Sequence, residues 1–155
     1  MTNDELKDYV IDNIDLAIKN AYIEPFYQPV IRTITGKLCG FEALARWIDP
    51  EYGMISPAIF VPALESVGQI YKLDFYIMER VCKDFVMQKE KLGYAVPFSL
   101  NLSRQDFDKC DIAEIIEKNV KKYNVPRNIL NIEITESCIG KDPEFKMKKL
   151  SVNMH

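Results

Sequence analysis

Apolar positions recur along this chain with two periods, and the switches between them mark the elements. Leu6, Val10, Ile14, Ala17 and Ile18 fall at helical spacing behind a Thr2/Glu5 pair that can cap a helix start, so a helix is predicted over about 3–20. Pro25 ends any continuation. "FYQPVIRTI" is rich in aromatic and β-branched residues and predicts a strand; "TGK" predicts a turn, and "LCGFEALARWI" a second strand, the two forming an antiparallel hairpin. "DPEYG" breaks the chain. Ser56 and Pro57 then open a short helix that Gly68 closes, and a longer helix runs from about Gln69 to Leu92 with Gly93 as its stop.

"AVPFSLNLS" predicts a third strand. A helix follows from a cap at Asp111, with Ile112, Ile115, Ile116, Val120 and Tyr123 on one face, and ends at Asn124 and Pro126. "ILNIEITES" predicts a fourth strand. The last residues could start another helix near 143–150, and no fifth strand is expected. Helices join the second, third and fourth strands, which predicts parallel pairing and an α/β fold.

The alternation inside these strands carries the first hint of chemistry. In the second, Phe41, Ala43, Ala45 and Trp47 share one face, while Glu42, Leu44 and Arg46 share the other. In the third, Ser99, Asn101 and Ser103 oppose Phe98, Leu100 and Leu102; in the fourth, Asn131, Glu133 and Thr135 oppose Leu130, Ile132 and Ile134. Crossover helices cover the apolar faces, Trp47 among them as core. A polar face beneath a second helix layer would bury carboxylates at large cost. In a closed barrel it points inward, where sites gather at the C-terminal strand ends. Glu42, Asn101 and Glu133 then converge as hard oxygen donors, suited to Mg²⁺, Mn²⁺ or Ca²⁺ rather than Zn²⁺. Arg46 can fork two bonds to a phosphate, and a divalent metal beside it suggests phosphoester chemistry. The plainer alternative is a sheet face satisfied by its own groups or by water.

Composition narrows the field. The chain has 155 residues, 48% hydrophobic and 28% charged, enough for one soluble domain. A net charge of −3 leaves no basic footprint for duplex nucleic acid. No apolar run reaches membrane-span length, the polar N-terminus is unlike a signal peptide, and Cys39, Cys82, Cys110 and Cys138 lack metal-ligand spacing. A cytoplasmic domain with reduced cysteines is expected. His155, the only histidine, is terminal and is given no catalytic role.

"GFEALARW" also resembles the signature of the EAL domain family, the phosphodiesterases of bacterial cyclic di-GMP signalling. "FYQPVI", "GMISPAIFVPALESVGQIYKLD", "SLNLS" and "NIEITES" resemble further blocks of that family in the same order, over roughly residues 14 to 138. The resemblance implies a TIM-like (β/α) barrel whose first strand runs antiparallel to the rest. It implies Glu42, Asn101 and Glu133 as metal ligands, for Mg²⁺ or Mn²⁺, and Gln28, Leu44 and Arg46 as residues that bind cyclic di-GMP, Arg46 at a phosphate. The implied reaction is metal-assisted opening of one phosphodiester bond to give pGpG.

The family continues with a DDFG block, a catalytic lysine, another glutamate and a late glutamine, for which this chain shows no counterpart. The expected organisation is therefore one truncated domain over 1–155, about half of the full barrel, with a divergent tail over 139–155 and no complete catalytic set. Such a chain would be weak or inactive in hydrolysis; the alternative is a non-catalytic module that binds cyclic di-GMP or a protein. Half a barrel exposes the edges of the first and fourth strands, which invites a homodimer or swapped assembly.

Overall fold

Thr2 and Glu5 close a reciprocal cap on the first helix, α1 (Asn3–Lys19). The Thr2 hydroxyl accepts the Glu5 N–H at 3.2 Å, and the Glu5 carboxylate accepts the Thr2 N–H at 2.7 Å. The computed structural model describes residues 1–135 and the backbone of 150–152. After α1 come β1 (Ile23–Ile31), β2 (Leu38–Asp49), β3 (Gly53–Ile55), α2 (Pro57–Ser66), α3 (Ile70–Leu92) and β4 (Phe98–Ser103). The chain goes on through α4 (Asp106–Lys109), α5 (Ile112–Tyr123), one 3₁₀ turn at 127–129, β5 (Leu130–Thr135) and β6 (Leu150–Val152).

The strands form one sheet in the order β1-β2-β4-β5-β6, with β3 pairing the far end of β2. β1 runs antiparallel to β2, while β2, β4 and β5 are mutually parallel, as the helical crossovers predicted. Ala43, Trp47, Leu100, Leu102 and Ile132 turn into the core against Val10 and Ile14 of α1 and Leu73, Ile77 and Val81 of α3. Each of the buried leucine, isoleucine and valine side chains contributes about 1.5–3 kcal/mol by leaving water. Trp47 is fully buried and tilts against Phe60 of α2, with ring centroids 6.0 Å apart.

Four expectations need correction. "DPEYG" does not simply break the chain: Asp49 accepts the N–H groups of Glu51 and Tyr52, at 2.9 and 3.2 Å, and the tight turn sends β3 back along β2. β1 starts at Ile23 rather than Phe26 and runs through Pro25 and Pro29; an edge strand tolerates prolines because half of its N–H groups need no ladder partner. A further strand does exist, since β6 pairs antiparallel with β5. The fourth predicted strand, β5, is therefore flanked by β6, and of the two expected edges β1 is the one that no strand of the described residues pairs. The helix expected near 143–150 lies outside the described residues except at Leu150, which is in β6. Glu136, Cys138 and His155 also lie outside them. No helix of the described residues is long and apolar enough to cross a membrane.

Two contacts set how the sheet presents its polar face. A Cβ on Gly40 would stand 2.5 Å from the Pro97 carbonyl oxygen, so only glycine lets β2 approach the start of β4 closely enough for Phe41 N–H to donate to that carbonyl at 2.9 Å. On the helix side, Tyr27 donates a short hydrogen bond to Asp84, and Tyr76 donates to the Ile23 carbonyl at 2.8 Å. Both tie β1 to α3.

Candidate functional site

The polar face runs unbroken across four strands. Gln28 of β1 stands in register opposite Glu42 of β2, Glu42 opposite Ser99 of β4, and Ser99 opposite Asn131 of β5. One level further along, Asn101 pairs with Glu133. All six predicted site residues share this face, because each pair is in register and each strand alternates with period two.

Glu42 and Asn101 are in direct contact. Asn101 Nδ2 donates to Glu42 Oε1 at 3.2 Å, across the β2–β4 pairing. That bond aims the amide, and the other amide atom, Asn101 Oδ1, is buried with no hydrogen-bond donor. A buried carbonyl oxygen in that condition costs about 1–3 kcal/mol unless something electropositive meets it. With Glu133 on the neighbouring strand, the donor set is two carboxylates and one amide oxygen. Such a set fits a hard divalent cation and fits nothing soft. Among the described residues no three His, Cys, Asp or Glu side chains gather as a metal site, so any ion here depends on the amide.

Toward the C-terminal end of β2 the face changes character. Leu44 stands opposite Phe26, and Arg46 opposite Glu24. Arg46 Nη1 donates to the carbonyl of Ala45 at 2.9 Å, which folds the side chain back along its own strand. The guanidinium nitrogens not used there are suited to a phosphate. Glu24 and Phe26 were not anticipated as members of this face. The period of two, carried backwards from Gln28, points to both; starting the strand at Phe26 and treating Pro25 as a breaker concealed Glu24. Phe26 is 44% exposed, a large aromatic lying open beside Leu44.

A second group of acids lies at the C-terminal end of β4. Ser103 Oγ donates to Glu65 Oε1 of α2 at 3.0 Å, and Ser103 N–H donates to Asp74 Oδ2 of α3 at 2.9 Å. These bonds seat the end of α2 and the N-terminal part of α3 on the strand that carries Asn101.

Comparison with known proteins gives the family and the fold. The family described as "EAL domain" matches residues 11–153. The oxygen sensor protein DosP of Escherichia coli is 29% identical over 136 residues, which is 88% of this chain and 17% of DosP. A signaling protein of Caulobacter vibrioides is 35% identical over 124 residues, 80% of this chain and 15% of that protein. Among solved structures, the EAL enzyme Bd1971 in its cGMP-bound form superposes with a TM-score of 0.72 at 25% identity, covering 83% of this chain and 37% of that one. The PaMucR phosphodiesterase in complex with c-di-GMP gives 0.75 at 23% identity, covering 83% of this chain and 52% of its own; this second likeness speaks to fold alone. The chain thus spans less than a fifth of these curated relatives and about half, or less, of these solved chains. The fold is accordingly that of a partial TIM-like barrel with an antiparallel first strand.

Proposed function

The chain belongs to the EAL domain family, and we propose that its polar sheet face is the recognition half of a cyclic di-GMP phosphodiesterase site. In this reading Gln28, Leu44 and Arg46 hold the dinucleotide, Arg46 at a phosphate, and Glu42, Asn101 and Glu133 hold Mg²⁺ or Mn²⁺. The observation that carries the reading is the buried, donorless Asn101 Oδ1 beside Glu42 and in register with Glu133.

A divalent ion at those oxygens would supply an activated water and offset charge on the phosphoryl oxygens. The chain's own residues do the rest. Glu42 fixes the Asn101 amide by accepting from Nδ2 and so turns Oδ1 toward the ion's place. Arg46 supplies positive charge at the mouth of the face, and Gln28 supplies both a donor and an acceptor for a base edge. Among the described residues this face presents no lysine and no third carboxylate near Glu42, so we assign it binding and metal holding but no general base. Weak or undetectable hydrolysis to pGpG by this chain goes with that assignment.

The test is calorimetric titration of the 155-residue chain with cyclic di-GMP in Mg²⁺, with nucleotide separation in parallel. Binding that Arg46→Ala weakens by about tenfold or more, the loss of a charge-assisted pair of about 1.5–3 kcal/mol, is the expected outcome. Binding unchanged in Arg46→Ala and Glu42→Ala would overturn the assignment. The alternative function, a module that meets a protein partner, is favoured by one observation: β1 leaves its outer edge bare, with Phe26, Val30 and Ile31 exposed. A homodimer or swapped assembly through that edge follows from the same feature. A cytoplasmic location goes with a cyclic di-GMP ligand and with free thiols at Cys39, Cys82 and Cys110.

A further inference from the structure

The acids behind β4 have no part in the site proposed above, and their burial is unusual. Asp106 of α4 is 0% exposed, Glu65 of α2 5% and Ser103 4%. Asp74 of α3, half-buried as a residue, turns its carboxyl onto β4, where Oδ2 accepts the Ser103 N–H. Glu65 is met by the Ser103 hydroxyl. Both carboxyl oxygens of Asp106 are buried without a formed hydrogen bond, and the Ser103 N–H, which acts on it from nearby, is taken by Asp74 Oδ2 at 2.9 Å. The side chain within hydrogen-bonding reach of it is the carboxyl of Asp74.

Among the described residues, the charged groups that act most strongly on the pair are carboxylates. Glu65, Asp74 and Asp106 face one another from α2, α3 and α4, and Cys110, at the end of α4, adds no cation. Lys109, the cation of α4, instead lies over the ring of Tyr71, its Nζ 5.7 Å from the centroid, and beside Gly68. Two ionised carboxylates in contact, out of water and without a cation, are a costly arrangement, whereas one proton between them turns the repulsion into a charge-assisted hydrogen bond. Burial first, and then the neighbouring carboxylate, push Asp74 well above the usual carboxylate range; burial also raises Asp106. Since Asp74 Oδ2 already accepts from Ser103, its other oxygen is the one placed to donate.

We propose that Asp74 and Asp106 share a single proton in the folded protein, and that this proton latches α3 to α4 behind the C-terminal end of β4. The inference does not depend on any ligand of the polar face. Its sign is fixed by linkage. The folded pair binds a proton that the unfolded chain has already released, so stability falls as pH rises from the ordinary carboxylate range to the titration of the pair, and levels off above it.

The experiment uses the 155-residue chain. Infrared spectra in H₂O and D₂O at pH 7 should contain the deuterium-sensitive carbonyl stretch of a protonated carboxylic acid, lost in both Asp74→Asn and Asp106→Asn. In the window below the pair's own titration the melting temperature should fall by about 3 to 5 °C per pH unit more than that of Asp106→Asn, whose amide donates to Asp74 at every pH. Asp74→Asn serves the same comparison if Asp106→Asn does not fold, and the infrared measurement on the parent chain needs neither. Absence of the protonated band at pH 7, or parallel melting profiles for parent and variant, overturns the proposal.

Discussion

Asp49 shows how much one side chain can organise. It is 3% exposed and accepts four hydrogen bonds: from Tyr9 of α1 at 3.0 Å, from Trp47 Nε1 at 3.4 Å, and from the N–H groups of Glu51 and Tyr52. Burial alone would raise its carboxyl; the backbone donors of Glu51 and Tyr52, helped by Tyr9 and Trp47, outweigh it and hold the group below its usual range. Asp49→Ala leaves those donors behind and is expected to cost about 2–4 kcal/mol, measured by urea unfolding. The linkage sign is opposite to that of the acid pair. A depressed carboxyl stabilises the fold above its unfolded pKa, and this contribution disappears as pH falls through the folded one. Asp49→Asn should therefore lose less stability in acid than near neutrality. Trp47 read correctly as core from its strand face alone. Nothing in the sequence marked Asp49, because its partners lie on α1, on β2 and in the turn, and it ties all three together.

Elements were mostly legible, since period and punctuation are local. The Thr2/Glu5 cap, the Ser56 cap with Pro57 behind it, and the left-handed stops at Gly93 and Asn124 all stand where their residue types put them. The misreadings fall where tertiary context overrides a local rule. Pro25 breaks helices but sits comfortably in an edge strand, and the start of β1 moved by three residues for that reason. α4 is a four-residue helix, too short for any period to show. Gly40 is the element-scale test. Gly40→Ala must push β2 away from the Pro97 carbonyl, which is backbone and cannot rotate aside. We expect a loss of about 1–3 kcal/mol in denaturant unfolding and, on the function proposed above, weaker cyclic di-GMP binding because Glu42 is two residues on. Unchanged stability would mean that the close approach of β2 to Pro97 is dispensable.

For the whole molecule, the bare outer edge of β1 is the feature with consequences. Among the described residues no strand pairs with its outer edge, its side chains Phe26, Val30 and Ile31 are exposed, and the turn beyond it exposes Ile34 at 92%. Such an edge is a template for another strand. Sedimentation velocity at micromolar concentration should show a dimer or larger species, and a charged substitution at the edge, Val30→Lys, should shift it toward monomer. A parent chain that sediments as a monomer would refute assembly through this edge. β6 limits the ways this can happen, since it occupies the flank of β5 that the strand count had left open.

What the sequence determined by itself was local or periodic: most of the helices and strands, which strand face is apolar, and that Glu42, Leu44, Arg46, Asn101 and Glu133 lie on the faces opposite it, Gln28 being added by the resemblance. Alternation and caps depend on neighbours a few residues away, and hydrophobic burial follows from them. Tertiary structure decided whatever depends on register and on groups meeting from distant segments. It put Asn101 Nδ2 on Glu42 while leaving Oδ1 without a donor, extended β1 back through Pro25 so that Glu24 joins the site face, and drew Glu65, Asp74 and Asp106 together from three helices. Those contacts span tens of residues of chain, and their energies depend on desolvation, which exists only once the chain has folded around them.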